Sequence, residues 1–279
     1  MSLFISSLNS GSNGNCYYIG NDNEAVLIDA GISCRETEKR MRKLGLSMDK
    51  VKAIFVSHEH SDHIKGIPTL SERYSLPVYI TTDTLRHGGR DINKLYTKEF
   101  TANEPVSIGG LSVIAFSKHH DASDPHSFVV NGNGVTIGVF TDIGRSCQNL
   151  AHHFSQCHAA FLESNYDEDL LEKGKYPIHL KKRIRGGKGH LSNIEALEVF
   201  NSHRPPFMTH LLLSHLSEHN NCPDLVKELF NRHAGNTNIV IASRYEQTPV
   251  YKIEGKVSPT ALQVRKITLK KAEQMSLFS

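Results

Sequence analysis

Short apolar runs separated by glycine and asparagine turns dominate the first third of the chain. Such runs predict β-strands, and they cover residues 3–8, 16–20, 25–31, 52–57 and 76–81. Ser33 and Glu36 have the spacing of a capping box and Gly45 suits a helix end, so the residues between them predict a helix. Residues 64–74 predict a second helix, which follows a histidine-rich segment.

The rest of the chain repeats this mixture of elements. Apolar runs predict strands over residues 112–117, 127–130, 134–142, 159–164, 210–215, 238–243 and 249–255. Ser192 and Glu195 are spaced to cap a helix that extends to about Ser202, and Pro223 suits the first turn of another that ends near Gly235. We therefore predict an α/β domain over residues 1–255, followed by a polar tail over residues 256–279.

The composition is that of a globular protein, because 38% of the 279 residues are hydrophobic and 22% are charged. The net charge of +3 permits an anionic partner without requiring one. Five cysteines without a C-x-x-C pair favour reduced thiols over disulfides or a sulfur-bound zinc. The start lacks the features of a signal peptide, and no apolar run approaches the ~20 residues of a membrane span, so we predict a cytoplasmic protein without a membrane partner.

Candidate chemistry is concentrated in SHEHSDH, residues 57–63, directly after an apolar strand. His58 and His60 are two residues apart, so in extended backbone both imidazoles point to the same side and can bind one ion. Asp62 and His63 follow where the chain should turn into a helix, and they can reach a second ion. An isolated H-x-H also occurs in solvated turns, but nitrogen and carboxylate donors in the pattern H-x-H-x-D-H favour a zinc, manganese or iron site.

This segment resembles the signature of the metallo-β-lactamase superfamily, which is H-x-H-x-D-H. The resemblance implies three further ligands at later strand ends: His120 in HHDASDP (with His119 as the alternative), Asp142 in GVTIGVFTD, and His215 in LLLSHLS. It covers most of residues 1–255. It implies a four-layer αββα sandwich with two mixed sheets and the metals at their crest.

A finer resemblance is to the YycJ/WalJ-like branch, bacterial proteins regarded as DNA exonucleases. It is carried by the opening SLNSGSNGNCYYIG, by HDASDP and by HLSEHNN. The branch implies two divalent ions, one bound by His58, His60 and His120 and the other by Asp62, His63 and His215, with Asp142 as the bridge. His60 stands where oxidative diiron relatives carry glutamate, which disfavours a redox role.

Two neighbouring divalent ions can turn a shared water into a nucleophile for esters, lactams and phosphodiesters alike. Glu163 in FLESNYD and His190 in GKGHLSN favour phosphodiesters, because they resemble a glutamate–histidine pair of transfer-RNA 3′-processing enzymes. In those enzymes the histidine contacts the scissile phosphate or protonates the leaving oxygen, a role that suits the histidine side chain. Asp62, Glu163 and His190 are therefore the predicted catalytic residues, although a buried core glutamate and a surface histidine remain an alternative for the pair.

A basic segment, KKRIRGGKGH, leads to His190. We predict a flexible loop that contacts nucleic acid through Lys181, Lys182, Arg183, Arg185 and Lys188, although such runs are often only solvated surface. The loop SGSNGN, residues 10–15, can cradle a phosphate or simply turn a hairpin, and its match to the branch implies that it borders the site.

The polar tail ends in EQMSLFS. Gln274, Leu277 and Phe278 resemble the peptide by which bacterial replication and repair proteins bind the sliding clamp, and a free apolar end suits recognition in a pocket. The alternative is a frayed end with chance hydrophobic residues.

Together these features predict a metal-dependent phosphodiesterase, most specifically a DNA exonuclease. Two alternatives remain open: a small-molecule ester or thioester hydrolase on the same fold, and a non-catalytic adaptor bound to the clamp. The set of seven predicted ligands disfavours the adaptor, since an adaptor has no need of them.

Overall fold

The computed structural model describes residues 2–255. In the first half of this range the elements are β1 (Ser2–Asn9), β2 (Cys16–Gly20), β3 (Ala25–Ile28), α1 (Cys34–Lys43), β4 (Val51–Phe55), α2 (Ser61–Ile64), α3 (Ile67–Tyr74), β5 (Val78–Tyr79), α4 (Thr82–His87) and β6 (Thr97–Lys98). The second half contains β7 (Pro105–Ile108), β8 (Leu111–Ser117), β9 (His126–Gly132), β10 (Val135–Phe140), α5 (Gln148–Phe154), β11 (Ala159–Glu163), α6 (Glu168–Lys173), α7 (Ile178–Ile184), α8 (Asn193–His203), β12 (His210–Ser214), α9 (Pro223–Asn231), β13 (Asn238–Ile241) and β14 (Tyr251–Glu254).

The strands form two sheets of seven. The first sheet has the order β14-β1-β2-β3-β4-β5-β6, and the second has the order β13-β12-β11-β10-β9-β8-β7. Both sheets are mixed. In the first sheet the strands pair antiparallel from β14 to β3 and parallel from β3 to β6, and in the second they pair parallel from β13 to β10 and antiparallel from β10 to β7. β14 returns to the first sheet and pairs with β1, so the last described strand lies beside the first.

Three apolar layers hold the molecule together. The central layer lies between the sheets and includes Ile5, Phe128 and Phe161. A second packs the first sheet against α1 and α3, and a third packs the other sheet against α5, α8 and α9. Helices therefore cover the outer face of each sheet, and the predicted four-layer αββα architecture is confirmed.

Local capping explains two of the predicted helices. Ser192 and Glu195 form the complete capping box at the start of α8, with the side chain of each bonded to the other's backbone N–H. Ser33 caps α1 by accepting from the N–H of Glu36, but the Glu36 carboxylate binds Arg40 instead of closing the box. Gly45 follows α1 with a φ of +70°, which a glycine adopts without strain.

Two elements differ from the sequence prediction. The helix predicted over residues 64–74 is interrupted, because α2 ends at Ile64 and α3 begins at Ile67. Gly66 lies between them, where an added Cβ would be 1.9 Å from the carbonyl oxygen of Ile32. Pro68 then occupies the first turn of α3, a position that its missing N–H favours. The strand predicted over residues 76–81 is reduced to Val78 and Tyr79.

The basic segment is not a loop along its whole length, so that part of the prediction is wrong. Residues 178–184 form α7, whose apolar side packs Ile184 and Leu180 against α6 and Tyr166. Apolar residues at positions 180 and 184 have the helical spacing that the run of charges obscured. No helix within residues 2–255 is long and apolar enough to cross a membrane.

Candidate metal centre

Seven side chains predicted as metal ligands meet at one edge of the two sheets. His58, His60, Asp62 and His63 lie directly after β4, at the carboxyl end of a parallel strand of the first sheet. His120, Asp142 and His215 follow β8, β10 and β12 of the second sheet. The site therefore spans both sheets, and neither sheet alone contains the whole set.

The first cluster consists of His58, His60 and His120. The distance from His58 Nε2 to His60 Nδ1 is 3.0 Å, and the distance from His60 Nδ1 to His120 Nε2 is 3.3 Å. Burial holds the pKa of His58 well below its ordinary value and lowers the pKa of His120 to about 4. Three imidazoles whose nitrogens converge in this way fit a single cation with nitrogen ligands.

The second cluster consists of Asp62, His63 and His215. Asp62 Oδ2 lies 3.6 Å from the Nε2 atoms of both histidines. Burial alone would lower the pKa of His63, but Asp142 and Asp29 outweigh it and raise the pKa to about 10. His63 is therefore cationic in the metal-free protein, and a bound metal ion would replace its proton.

Asp142 lies between the two clusters. Its Oδ2 atom is 3.1 Å from His63 Nε2, and its Oδ1 atom is 3.8 Å from His120 Nε2. Burial would raise the pKa of this carboxyl, but His215 and His63 hold it well below its ordinary value. Asp142 Oδ2 and His215 Nε2 are buried, and despite the short distances to neighbouring side chains neither makes a hydrogen bond of good geometry in the described part of the chain, as expected for atoms that a metal ion would engage.

A buried carboxylate that the sequence analysis missed orients this site. Asp29, at the end of β3, lies 2.7 Å from His63 Nδ1 and accepts from the N–H and hydroxyl of Ser57, each at 2.8 Å. The Ser57 hydroxyl also lies 2.9 Å from His58 Nδ1. Asp29 thereby leaves the Nε2 atom of His63 to face the metal position. Its place in AVLIDAG, a carboxylate at a strand end, was the signal in the sequence.

We expect Asp29→Asn to weaken binding of a metal ion at the second cluster by about 10- to 100-fold, because an amide still fits but no longer supports the His63 imidazole as a carboxylate does. Competition with a chromophoric chelator would measure the affinity. Asp49→Asn, an exposed position, is the matched control. Equal affinities in the two variants would show that Asp29 does not tune the site.

Backbone strain marks the same edge. Asp29, Asp142 and His215 all have positive φ angles, of 60°, 54° and 57°. Residues other than glycine rarely adopt this conformation, and it persists where the surrounding structure enforces it. At each position the strand has just ended, and the left-handed residue redirects the chain across the edge.

Glu163 and His190 lie beside the clusters and contact each other. Glu163 Oε1 is 2.8 Å from His190 Nδ1 and 3.1 Å from His215 Nδ1. Its Oε2 accepts from the backbone N–H groups of Ile143 and Leu191, at 2.6 and 3.2 Å. Burial would raise the pKa of Glu163, but His190 and the other donors lower it to about 2. Glu163 is therefore a buried, ionised group that holds two imidazoles in place.

The predicted nucleic-acid contacts divide into two groups. Lys181 is buried and its ammonium donates to the carbonyl oxygen of Glu172, so it is not placed to make the predicted contact with nucleic acid. Arg183 and Arg185 are exposed but paired with Asp121 and Glu172. Lys182 and Lys188 are exposed and make no salt bridge within the described residues. These four cations, unlike Lys181, can contact a polyanion.

Near the basic segment lies a further exposed cation, Arg145, which the sequence prediction did not include. Arg145 is exposed just after Asp142, with its Nη2 atom 3.5 Å from His119 Nε2. An added Cβ on Gly144 would lie 2.5 Å from Lys188 Cα, so this turn packs directly on the basic segment. The same contact places His119 on the surface, whereas His120 points into the first cluster.

The loop over residues 10–15 borders the second cluster. Asn15 Nδ2 lies 3.0 Å from His63 Nε2 and 3.3 Å from Asp62 Oδ2. Ser10 Oγ accepts from the backbone N–H of His215 at 2.8 Å. The predicted clamp-binding residues Gln274, Leu277 and Phe278 lie outside the described residues.

The known proteins that this chain is similar to belong to one superfamily. The family model for the beta-lactamase superfamily domain matches residues 24–215 of this chain. The chain is 34% identical over 230 residues to exodeoxyribonuclease YycJ of Bacillus anthracis, covering 81% of this chain and 87% of that protein. It is 28% identical over 223 residues to exodeoxyribonuclease WalJ of Streptococcus pneumoniae, covering 78% and 83% of the two chains.

Among solved structures, the metallo-β-lactamase fold protein YhfI from Bacillus subtilis superposes with a TM-score of 0.70. The two chains are 16% identical, with 90% of this chain and 100% of the other covered, so the likeness concerns the fold. Fold and site together define a hydrolase of a class that binds divalent metal ions. The chain belongs to the metallo-β-lactamase superfamily, as a YycJ-like member.

Proposed function

We propose that this protein is a two-metal nuclease that removes nucleotides from DNA ends. The observation that carries the proposal is the arrangement of two ligand clusters around Asp142, with His190 fixed by Glu163 at their side. The exodeoxyribonuclease names of the two relatives support DNA as the substrate.

In this proposal His58, His60 and His120 would hold one ion, and Asp62, His63 and His215 the other, with Asp142 as their bridge. Their nitrogen and carboxylate donors suit zinc, manganese or iron. When bound, such a pair supplies a hydroxide nucleophile and stabilises charge on the phosphate oxygens. Asp62 is partly exposed, so it can also accept a hydrogen bond from the attacking water.

His190 is the proposed general acid. Glu163 binds its Nδ1–H, which leaves Nε2 without a hydrogen bond in the described part of the chain. The side chain is 20% exposed, so a substrate can reach it. His190 Nε2 can therefore donate a proton to the leaving oxygen, while the ionised Glu163 stabilises the imidazolium and keeps it oriented.

The exposed cations should follow the DNA backbone. DNA binding weakens as salt rises, and the slope of the logarithm of the binding constant against the logarithm of the salt concentration becomes less steep by about 0.7–0.9 for each phosphate contact that is lost. We therefore expect the double variant Lys182→Ala, Lys188→Ala to reduce the steepness of this slope by about 1–2. Binding would be measured for the metal-loaded protein with phosphorothioate-blocked DNA.

A double variant of Lys43 and Lys227, both exposed on other helices, changes the net charge equally and is the control. The two salt slopes should differ. If they coincide, the effect is one of overall charge and the α7 segment does not contact DNA.

The function itself is tested with end-labelled single- and double-stranded DNA and RNA in the presence of manganese or zinc. We expect mononucleotides released from DNA ends, and no release after chelation. Cleavage of RNA alone would refute the DNA assignment. Turnover of lactones or thioesters without any nucleic-acid cleavage would refute the nuclease and favour the small-molecule ester or thioester hydrolase.

A further inference from the structure

A cavity of about 280 Å³ lies beside the metal centre and has no role in the proposed mechanism. Its walls are largely apolar, formed by Leu216, Pro223, Ile241 and Ala242, and Ser10 and Tyr245 also line it. It is smaller than the ~300–1,000 Å³ usual for pockets that enclose a whole drug-sized ligand. A single flat ring system is a better match for its size and lining.

The cavity and the second ligand cluster share one stretch of chain. Leu216, in the cavity wall, directly follows the ligand His215. Ser10 lines the cavity and accepts from the backbone N–H of His215 at 2.8 Å. The cavity wall and the second ligand cluster therefore meet at Ser10 and at the peptide that joins His215 to Leu216.

Tyr245 is exposed to 71%, yet its backbone is firmly held. The carbonyl oxygen of Tyr245 accepts from Arg40 Nη2 at 3.0 Å. Arg40 is itself buried and donates through Nη1 to the carbonyl oxygen of Leu8 and to Asn9 Oδ1, each at 2.6 Å. A buried arginine thus ties the Tyr245 loop to the end of β1, and the aromatic ring is presented to solvent on a fixed backbone.

The rim of the cavity is polar and its charges are balanced. Arg244 Nη2 lies 3.3 Å from Glu218 Oε2, and the Tyr245 hydroxyl donates to Glu218 Oε1 at 3.2 Å. The loop over residues 10–15 packs against the same place, because Asn13 Nδ2 donates to the carbonyl oxygen of Arg244 at 2.8 Å. That loop also reaches Asp62 and His63 through Asn15. It therefore links the rim to the metal ligands.

We propose that this cavity receives the terminal nucleobase of the DNA strand and that Tyr245 stacks on it. The inference rests on the proposed nuclease function. An aromatic ring beside an apolar cavity suits every base, because each base has a π-face, so little sequence preference is expected. Seating the end base would set the distance from the strand end to the phosphate at the metals, which would favour removal of terminal nucleotides.

The test is a double-mutant cycle between ring and base. The substrates are single-stranded DNAs that carry either a normal nucleotide or an abasic tetrahydrofuran residue at the 5′ or the 3′ end. The measured quantity is kcat/KM, for the wild type and for the variants Tyr245→Ala and Tyr245→Phe. For the end that the enzyme degrades, we expect base removal to cost the wild type about 5- to 150-fold, the range for one aromatic–base stack. Tyr245→Ala should show a similar loss on the normal substrate and little further loss on the abasic one. Tyr245→Phe should behave as wild type.

Phe207→Ala is the matched control, because Phe207 is a partly exposed aromatic packed on His158 at the opposite edge of the sheet. It should leave the base effect intact. The proposal would be overturned if removing the Tyr245 ring and removing the base each lowered kcat/KM by a factor that does not depend on the other. It would also be overturned if Tyr245→Phe lost as much activity as Tyr245→Ala, or if Tyr245→Ala lost activity only on a thioester substrate. Absence of DNA cleavage by the wild type would instead refute the proposed function, so the two failures are distinguishable.

Discussion

His58→Ala is expected to abolish metal-dependent DNA cleavage, with a loss of at least about a thousandfold. Metal stabilisation of the transition state is worth several kcal/mol, and each ~1.4 kcal/mol corresponds to a factor of ten in rate. His58 is fully buried and its Nε2 atom lies 3.0 Å from His60 Nδ1, so its loss would remove one of the three nitrogen donors of the first cluster. The measurement is nucleotide release from end-labelled DNA with manganese or zinc, together with the metal content of the purified protein.

A matched histidine control separates loss of the site from loss of the fold. His233 is exposed, and His233→Ala should retain both activity and bound metal. The thermal unfolding of metal-free His58→Ala should resemble that of the metal-free parent. Persistent, metal-dependent cleavage by a well-folded His58→Ala protein would contradict the proposed site.

His190→Ala is expected to slow DNA cleavage by about 10²- to 10⁴-fold, the usual contribution of a general acid. The loss should depend on the leaving group, because an alkoxide needs a proton and p-nitrophenolate does not. Hydrolysis of thymidine 5′-p-nitrophenyl phosphate should therefore fall by less than about tenfold. Bound metal should not change, since His190 belongs to neither cluster assigned to the ions.

The outcome decides between two roles. An equal loss on DNA and on the p-nitrophenyl ester would mean that His190 contacts the phosphate and does not donate the proton. Unchanged DNA cleavage would refute both roles. His152→Ala, at an exposed position on α5, serves as the control for a general effect of removing an imidazole.

Four of the seven candidate metal ligands could be predicted from the residues themselves, and His120, Asp142 and His215 followed from the resemblance to the superfamily. H-x-H-x-D-H is contiguous, and Asp142 and His215 end apolar runs whose strands the sequence already indicates. Asp29 ends such a run as well, but an aspartate that binds Ser57 and His63 across the sheet has no contiguous partner in the sequence. Contacts between distant segments, like that of Arg40 with Tyr245, leave no pattern at all.

The short helices were harder to predict than the sheets. α4, α5, α6 and α7 each have six or seven residues, too few for apolar periodicity to stand out. Their stability comes from tertiary packing, as when Phe154 of α5 packs under the second sheet. In α7 the many lysine and arginine residues also made the apolar position Ile184 hard to recognise. Without it, the sequence did not indicate a helix with a buried side, on which Lys181 lies as well.

The candidate ligands come from both sheets, so bound ions would connect two layers that otherwise meet mainly through the apolar interior. Any ligand that binds only the native state raises its stability by mass action, by about 2.7 kcal/mol at a hundredfold excess over its dissociation constant. A shift of that size changes how much of a protein survives cellular proteolysis. A cell deprived of the ion would therefore hold fewer copies of this polypeptide, and its abundance would report on the supply of the metal.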